Sequence, residues 1–188
     1  MRKMLLVTAI FSIICGSAAG FDGKRKGFVL GGGIGFSPYI HWSVENDLAF
    51  GEDDAAGAGV NFIIGYAWDE QNMIVYDGQG AAYAKGDATI AQGGSFASWY
   101  HYFGPAGKSF FTTVGLGLYT WQIEDIDANE PGAAFMFGGG YEFSRHWQVG
   151  VYISGGKSTL QLASLMGSSL DFDMTHTTLN VLIGGVAF

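Results

Sequence analysis

Cysteine, charge and long apolar runs are all scarce in this chain. Of 188 residues only Cys15 is a cysteine, so no disulfide framework holds the fold together. Charged residues make up 14%, well below the roughly 25% of soluble domains. Basic residues are fewer still, 9 against 17 acidic, which argues against nucleic acid as a partner. Nucleic-acid binding needs clustered Lys and Arg to displace counterions. No window of about 18 apolar residues occurs that could cross a bilayer as a helix. Every apolar run is broken by Gly, Thr, Ser or a charge.

What is abundant points to strands. Hydrophobic residues are 48%, aromatics 15%, and there are 31 glycines. By length the chain is one domain. Its first 20 residues read as a cleaved secretory signal. Arg2 and Lys3 supply the positive start, residues 4–14 the apolar core, and Gly16, Ser17, Ala18, Ala19 and Gly20 the small residues for cleavage. Ile14 before Cys15 departs from the lipid-attachment pattern, so Cys15 is expected to leave with the signal. Residues 21–188 then form the mature domain, with 7 basic residues against 17 acidic.

Reading in steps of two separates two faces. Phe28, Leu30, Ile34 and Phe36 oppose Val29, Gly31, Gly33 and Gly35. Val60, Phe62, Ile64, Tyr66 and Trp68 oppose Asn61, Ile63, Gly65 and Ala67. Phe110, Val114, Leu116 and Leu118 oppose Thr113, Gly115 and Gly117. Phe135, Phe137, Tyr141 and Phe143 oppose Ala134, Met136, Gly138, Gly140 and Glu142. Trp147, Val149, Val151 and Ile153 oppose Gln148, Gly150, Tyr152 and Ser154. Residues 73–83 and 90–103 are two weaker strands, the second without assignable faces, and residues 177–188 make an eighth. A bulky apolar face suits lipid and a small or polar face suits the inside of a narrow barrel.

The connections alternate in length. Residues 38–55, 122–132 and 157–172 are long, 85–89 intermediate, and 68–72, 104–108 and 144–146 short. That pattern fits an eight-stranded antiparallel up-and-down transmembrane β-barrel with tight periplasmic turns and longer outer loops. Trp68, Phe103, Phe143 and Trp147 border the short turns, where an aromatic girdle belongs. On the last strand Leu182, Val186 and Phe188 are expected to point outward. Closure leaves no exposed strand edge in lipid.

Several segments resemble the outer-membrane β-barrel domain family, the small OmpA/OmpX-like class. They are residues 25–35, 65–76 and 140–149 and the closing Phe188, with Arg145 in a tight turn and Trp147 restarting a strand. The resemblance implies an eight-stranded barrel and no uniform activity, since one fold hosts many functions. It also implies that the aromatic last strand is read by the barrel assembly machinery.

Candidate chemistry is sparse. His41 and Ser43 share a strand face with Glu45 nearby, which invites comparison with lipid A deacylases, whose His-x-Ser pair lies on a late strand. His41, Ser43 and Asp47 could equally be set against palmitoyl transfer, without spacing that demands it. Acidic residues cluster in the first outer loop (Glu45, Asp47, Glu52, Asp53, Asp54) and the third (Glu124, Asp125, Asp127, Glu130). These read as a solvated outer surface that could share divalent ions with lipopolysaccharide phosphates; the calcium-loop spacing is absent. Residues 31–35 lack the following helix of a nucleotide-binding loop. Glu142, inside the barrel, needs a cation, and Lys157 or Arg145 is the expected partner. Lys24, Arg25 and Lys26 are expected at periplasmic-side phosphates.

No catalytic, cofactor-binding or metal-binding residue is assigned. The leading expectation is a monomeric, non-enzymatic barrel of the outer membrane that presents acidic loops and contacts lipid and lipopolysaccharide. A transporter of small hydrophobic ligands, entering past Leu160, Leu162, Leu165 and Met166, is a second expectation. A lipid A-modifying enzyme is a third. A soluble lipocalin-like barrel shares the alternation.

Overall fold

The computed structural model describes residues 24–44, 52–86, 88–123, 129–163 and 169–188. The signal segment, Cys15, Glu45, Asp47, Glu124, Asp125, Asp127, Leu165 and Met166 lie outside them. Eight strands follow in order: β1 (Gly27–Val44), β2 (Glu52–Ala67), β3 (Asn72–Lys85), β4 (Ala88–Tyr102), β5 (Ser109–Ile123), β6 (Asn129–Ser144), β7 (Trp147–Ala163) and β8 (Ser169–Ala187). Each pairs antiparallel with the next. β8 returns to β1, from Leu30 opposite Ala187 to Val44 opposite Met174, and closes the barrel.

Three turns gather at one end, at residues 68–71, 103–108 and 145–146. Asp69 forms the first by accepting the N–H groups of Gln71 and Asn72 at 2.8 and 2.7 Å. Such a side-chain acceptor is what lets an Asp replace regular pairing in a turn. His146 completes the two-residue β6–β7 turn at a φ of 70°.

The strands are longer than the alternation indicated. Segments expected as loops, 38–55, 122–132 and 157–172, are largely β-ladder; Ser43 pairs with Glu52 and Leu162 with Leu170. A bilayer needs about 9–11 residues per strand, whereas these run from 14 to 19. The ladder therefore continues past the apolar zone, where polar outward residues hid it from a search for alternating hydrophobics.

The outward face is bulky and apolar, as expected: Phe36, Phe62, Phe110, Leu116 (71% exposed), Phe137 and Trp147 stand on the wall. A soluble protein rarely exposes so large an apolar surface, and a lipid-facing barrel must. β1 shifts register around Pro38, which has no N–H to give the ladder. The shift changes which parity faces inward. Ser37 is inside and Tyr39 outside, then Ile40 inside, so Trp42 points in while His41 and Ser43 stay on the outer wall.

β8 reverses the expected assignment. Leu182, Val186 and Phe188 are buried at 3, 3 and 2%, while Val181 and Ile183 face out. Leu182 lies opposite Gly35 and Val186 opposite Gly31 on β1. The inward space at Gly31 is taken by Ile63 of β2, and Leu182 reaches over Gly59 of β2, while Gly35 lets the β8 backbone come close. The outer girdle of Trp68, Phe103, Phe143 and Trp147 therefore stands without Phe188.

The lumen is packed. A lower cluster includes Val29, Ile63, Tyr100, Tyr102, Phe111 and Phe188. An upper one, toward the long-loop end, includes Ile40, Tyr83, Ile90, Trp121 and Met174, with Trp42 against it. A cavity of about 10 Å³ beside Asn61, Gln148, Tyr152 and Leu182 has room for about one water. A hollow of about 270 Å³ lies instead beside Ile74, Tyr76 and Ala97, on the wall.

Candidate functional site

The chemistry-bearing side chains are inside the barrel, in three tiers. At the tight-turn end, Arg25 enters just ahead of β1 and is 1% exposed. Its Nη2 pairs with Glu142 Oε2, and its Nη1 donates to the backbone oxygens of Glu70 and, at 3.5 Å, Gly104. The guanidinium lies 3.7 Å from the centre of the Tyr102 ring and 5.7 Å from that of Phe188. Glu142 thus takes its cation from Arg25, not from Lys157 or Arg145, both of which are exposed. Arg25 is correspondingly not at the lipid phosphates; Lys24 and Lys26 beside it are exposed. A cation buried in a narrow lumen requires an anion at contact, and Glu142 is inward on β6 at that height.

In the middle, Asp77 is fully buried and accepts from Tyr100 Oη at 2.5 Å and Gln79 Nε2 at 2.9 Å. Gln79 in turn accepts from Asn180 Nδ2 at 3.3 Å, and Asn180 accepts from Ser37. Below it, Tyr102 Oη donates to Gln148 at 2.8 Å. These groups answer one another, as a dry interior favours, whereas the buried hydroxyls of Ser98 and Thr113 have no hydrogen-bond partner.

Toward the long-loop end, His176 stacks on Tyr119 with ring centres 5.2 Å apart. Its Nε2 meets Ser158 Oγ at 2.7 Å and its Nδ1 meets Gln92 Oε1 at 3.4 Å. Gln92 and Tyr119 converge on Thr178 Oγ1 at 2.7 and 2.5 Å. Above, Trp42 Nε1 donates to Tyr83 Oη at 2.9 Å, and Tyr83 Oη donates to Asp53 Oδ2 at 3.0 Å. Lys85 Nζ, 2.8 Å from Asp53, holds that carboxyl below the usual carboxylate range against the opposing pull of burial.

The residues singled out in the sequence are only partly united. His41 and Ser43 do share the outer face, but the carboxylate that meets His41 is Asp54, 2.7 Å from Nδ1. Tyr39 stacks on the same imidazole at 5.9 Å. Asp53 and Asp54 are split between the inside and the outside of the wall, so the first acidic group is not one cluster. Among the described residues no three His, Cys, Asp or Glu side chains gather as a metal site. In the sequence Arg25 stands out but is placed at the lipid phosphates, whereas Asp77 and His176 are not singled out. Asp77 could have been found, because it shares parity with Met73 and Val75 on β3.

No family model and no curated protein matches the chain. Among solved structures, Ail, the attachment invasion locus protein of Yersinia pestis, matches 87% of this chain and 99% of its own, with a TM-score of 0.51 at 11% identity. Neisserial surface protein A matches 85% of this chain and 95% of its own, with a TM-score of 0.49 at 11% identity. The outer membrane protein OprG of Pseudomonas aeruginosa matches 87% and 98%, with a TM-score of 0.45 at 15% identity. At that identity the likeness to Ail speaks for the fold alone. Fold and apolar exterior together define the class: a small eight-stranded barrel of the Gram-negative outer-membrane type.

Proposed function

We propose that the protein is a monomeric, non-enzymatic outer-membrane barrel with a structural or interaction role, reached after cleavage of residues 1–20 and inserted through its last strand. The observation that carries this reading is the lumen, occupied by side chains from Arg25 at one end to Trp42 and Trp121 at the other. An eight-stranded barrel has room for its own side chains and little else. Function then falls to the outer ends of the strands. Asp54, Glu130 and Asp173 are exposed there alongside Lys85 and Lys157, whereas Lys24, Lys26, Lys108 and Arg145 are exposed with Glu70 at the tight-turn end. Such an acidic rim would meet lipopolysaccharide phosphates through shared divalent cations, since hard cations take carboxylate and phosphate oxygens together.

Reconstitution tests both parts. The reading expects no steady conductance in planar bilayers, and lipopolysaccharide binding that calcium supports and chelation removes. Steady conductance, or binding indifferent to chelation, would overturn the respective part.

One observation favours a second reading, a lipid-modifying enzyme. Asp54 orients the His41 imidazole through Nδ1, leaving Nε2 on the outer wall two residues from Ser43. Mass spectrometry of lipid A from cells carrying the protein or His41→Ala decides it; identical spectra remove this reading.

A further inference from the structure

The wall at the tight-turn end is complete without Arg25, because Arg25 precedes β1 and takes no part in the ladder. The groups around its guanidinium come from five separate places. They are Glu142 on β6, the carbonyl of Glu70 in the β2–β3 turn, the carbonyl of Gly104 in the β4–β5 turn, Tyr102 at the end of β4, and the last residue, Phe188. A carboxylate supplies the counter-charge and two carbonyls accept N–H donors. Two aromatic rings flank the flat, weakly hydrated cation. This set matches the two terminal nitrogens and the flat face of a guanidinium, and leaves the buried Nε–H without a hydrogen-bond partner. An ammonium, compact and strongly hydrated, has no flat face to offer the rings.

We propose that the tight-turn end of the barrel is a guanidinium-binding site, filled in cis by Arg25, which thereby docks the arm ahead of β1 into the lumen. The site ties both ends of the barrel domain together. Arg25 leads into β1, Phe188 follows β8 directly, and these two strands form the seam that closes the sheet. Phe188 packs on Arg25 on one side and on His146 on the other, with ring centres 4.7 Å apart. Once Arg25 is removed, the wall should still present the receptor to a small alkylguanidinium.

The test uses the full barrel refolded in detergent, with n-propylguanidinium as the probe, far below denaturing concentrations. Arg25→Ala is expected to unfold at a lower temperature than the wild type. n-Propylguanidinium should raise that temperature saturably, with one molecule bound per barrel, and leave the wild type unmoved. n-Propylammonium should bind roughly tenfold more weakly. Adding Glu142→Gln to Arg25→Ala should abolish the response. No saturable response, an equal response to the ammonium, or a response that survives Glu142→Gln overturns the proposal.

If Arg25→Ala does not refold, the decision passes to the single variant Glu142→Gln with Arg25 intact. Tryptic cleavage after Arg25 faster than in the wild type supports the site. Unchanged cleavage there overturns it.

Discussion

Leu182 lies across the β1–β8 seam from Gly35, with its side chain turned into the lumen. A Cβ on Gly35 would fall 2.9 Å from Leu182 Cα and 2.0 Å from the carbonyl oxygen of Val181. Gly35 thus lets the β8 backbone approach, while the Leu182 side chain lies over Gly59 of β2, where a Cβ would stand 3.1 Å from its Cδ2.

Gly35→Ala is therefore expected to destabilise the barrel by about 1–3 kcal/mol, because the atoms a Cβ would meet are backbone and cannot rotate away. Reversible urea unfolding in lipid vesicles would measure it. A neutral result would show that the seam has slack.

The inward turn of β8 predicts a contrast between adjacent residues. Leu182→Ala should cost about 2–5 kcal/mol by opening a cavity. Ile183→Ala, which is on the lipid face, should cost much less. Single cysteines at the two positions provide a second check: a lipid-phase quencher should reach a fluorophore at 183 and not one at 182.

Removing either partner of the Arg25–Glu142 pair leaves a buried charge unanswered. Glu142→Ala should cost about 3–5 kcal/mol, whereas the double change Arg25→Met with Glu142→Leu should cost less than either single change. A double-mutant cycle in the same unfolding assay gives the coupling directly.

Leu116 is 71% exposed on the wall. If that wall faces lipid, Leu116→Arg should cost about 2–4 kcal/mol in bilayers, the value for a charge near the midplane. In a water-facing wall the same change would be close to neutral.

The pH response of the long-loop end follows from Asp53. Lys85 lowers its carboxyl below the usual carboxylate range. A group with a depressed folded pKa contributes stability above its unfolded pKa, about 3.9, and that stability is lost as pH falls through the folded value. The indole N–H of Trp42, bonded to Tyr83 and so to Asp53, should report this. Its NMR signal should titrate with a midpoint below 3.9, and Asp53→Asn should remove that titration.

The alternation of Phe28 to Phe36, Val60 to Trp68 and Trp147 to Ile153 is a local property. It specifies strands and their lipid face whatever those strands pair with, because successive side chains on a strand must point opposite ways. The tight turns at 68–71 and 145–146 are local too, set by residues such as Asp69. The polar side chains His41, Asp54 and Lys157 broke the hydrophobic alternation, although the ladder continued through them. Strand length beyond the bilayer was therefore not readable from hydrophobicity.

From the chain alone, then, came the number of strands, the closed membrane barrel and the scarcity of catalytic signals. Composition and period suffice for these, since lipid rewards one apolar face and forbids open edges. The three-dimensional arrangement assigned the partners. Glu142 meets Arg25 across 117 positions, Asp54 takes the place beside His41, and Leu182, Val186 and Phe188 turn inward. Those outcomes depend on which glycine of β1 stands opposite which residue of β8, and on a register shift at Pro38. Register is a relation between distant segments, so no single stretch of sequence contains it.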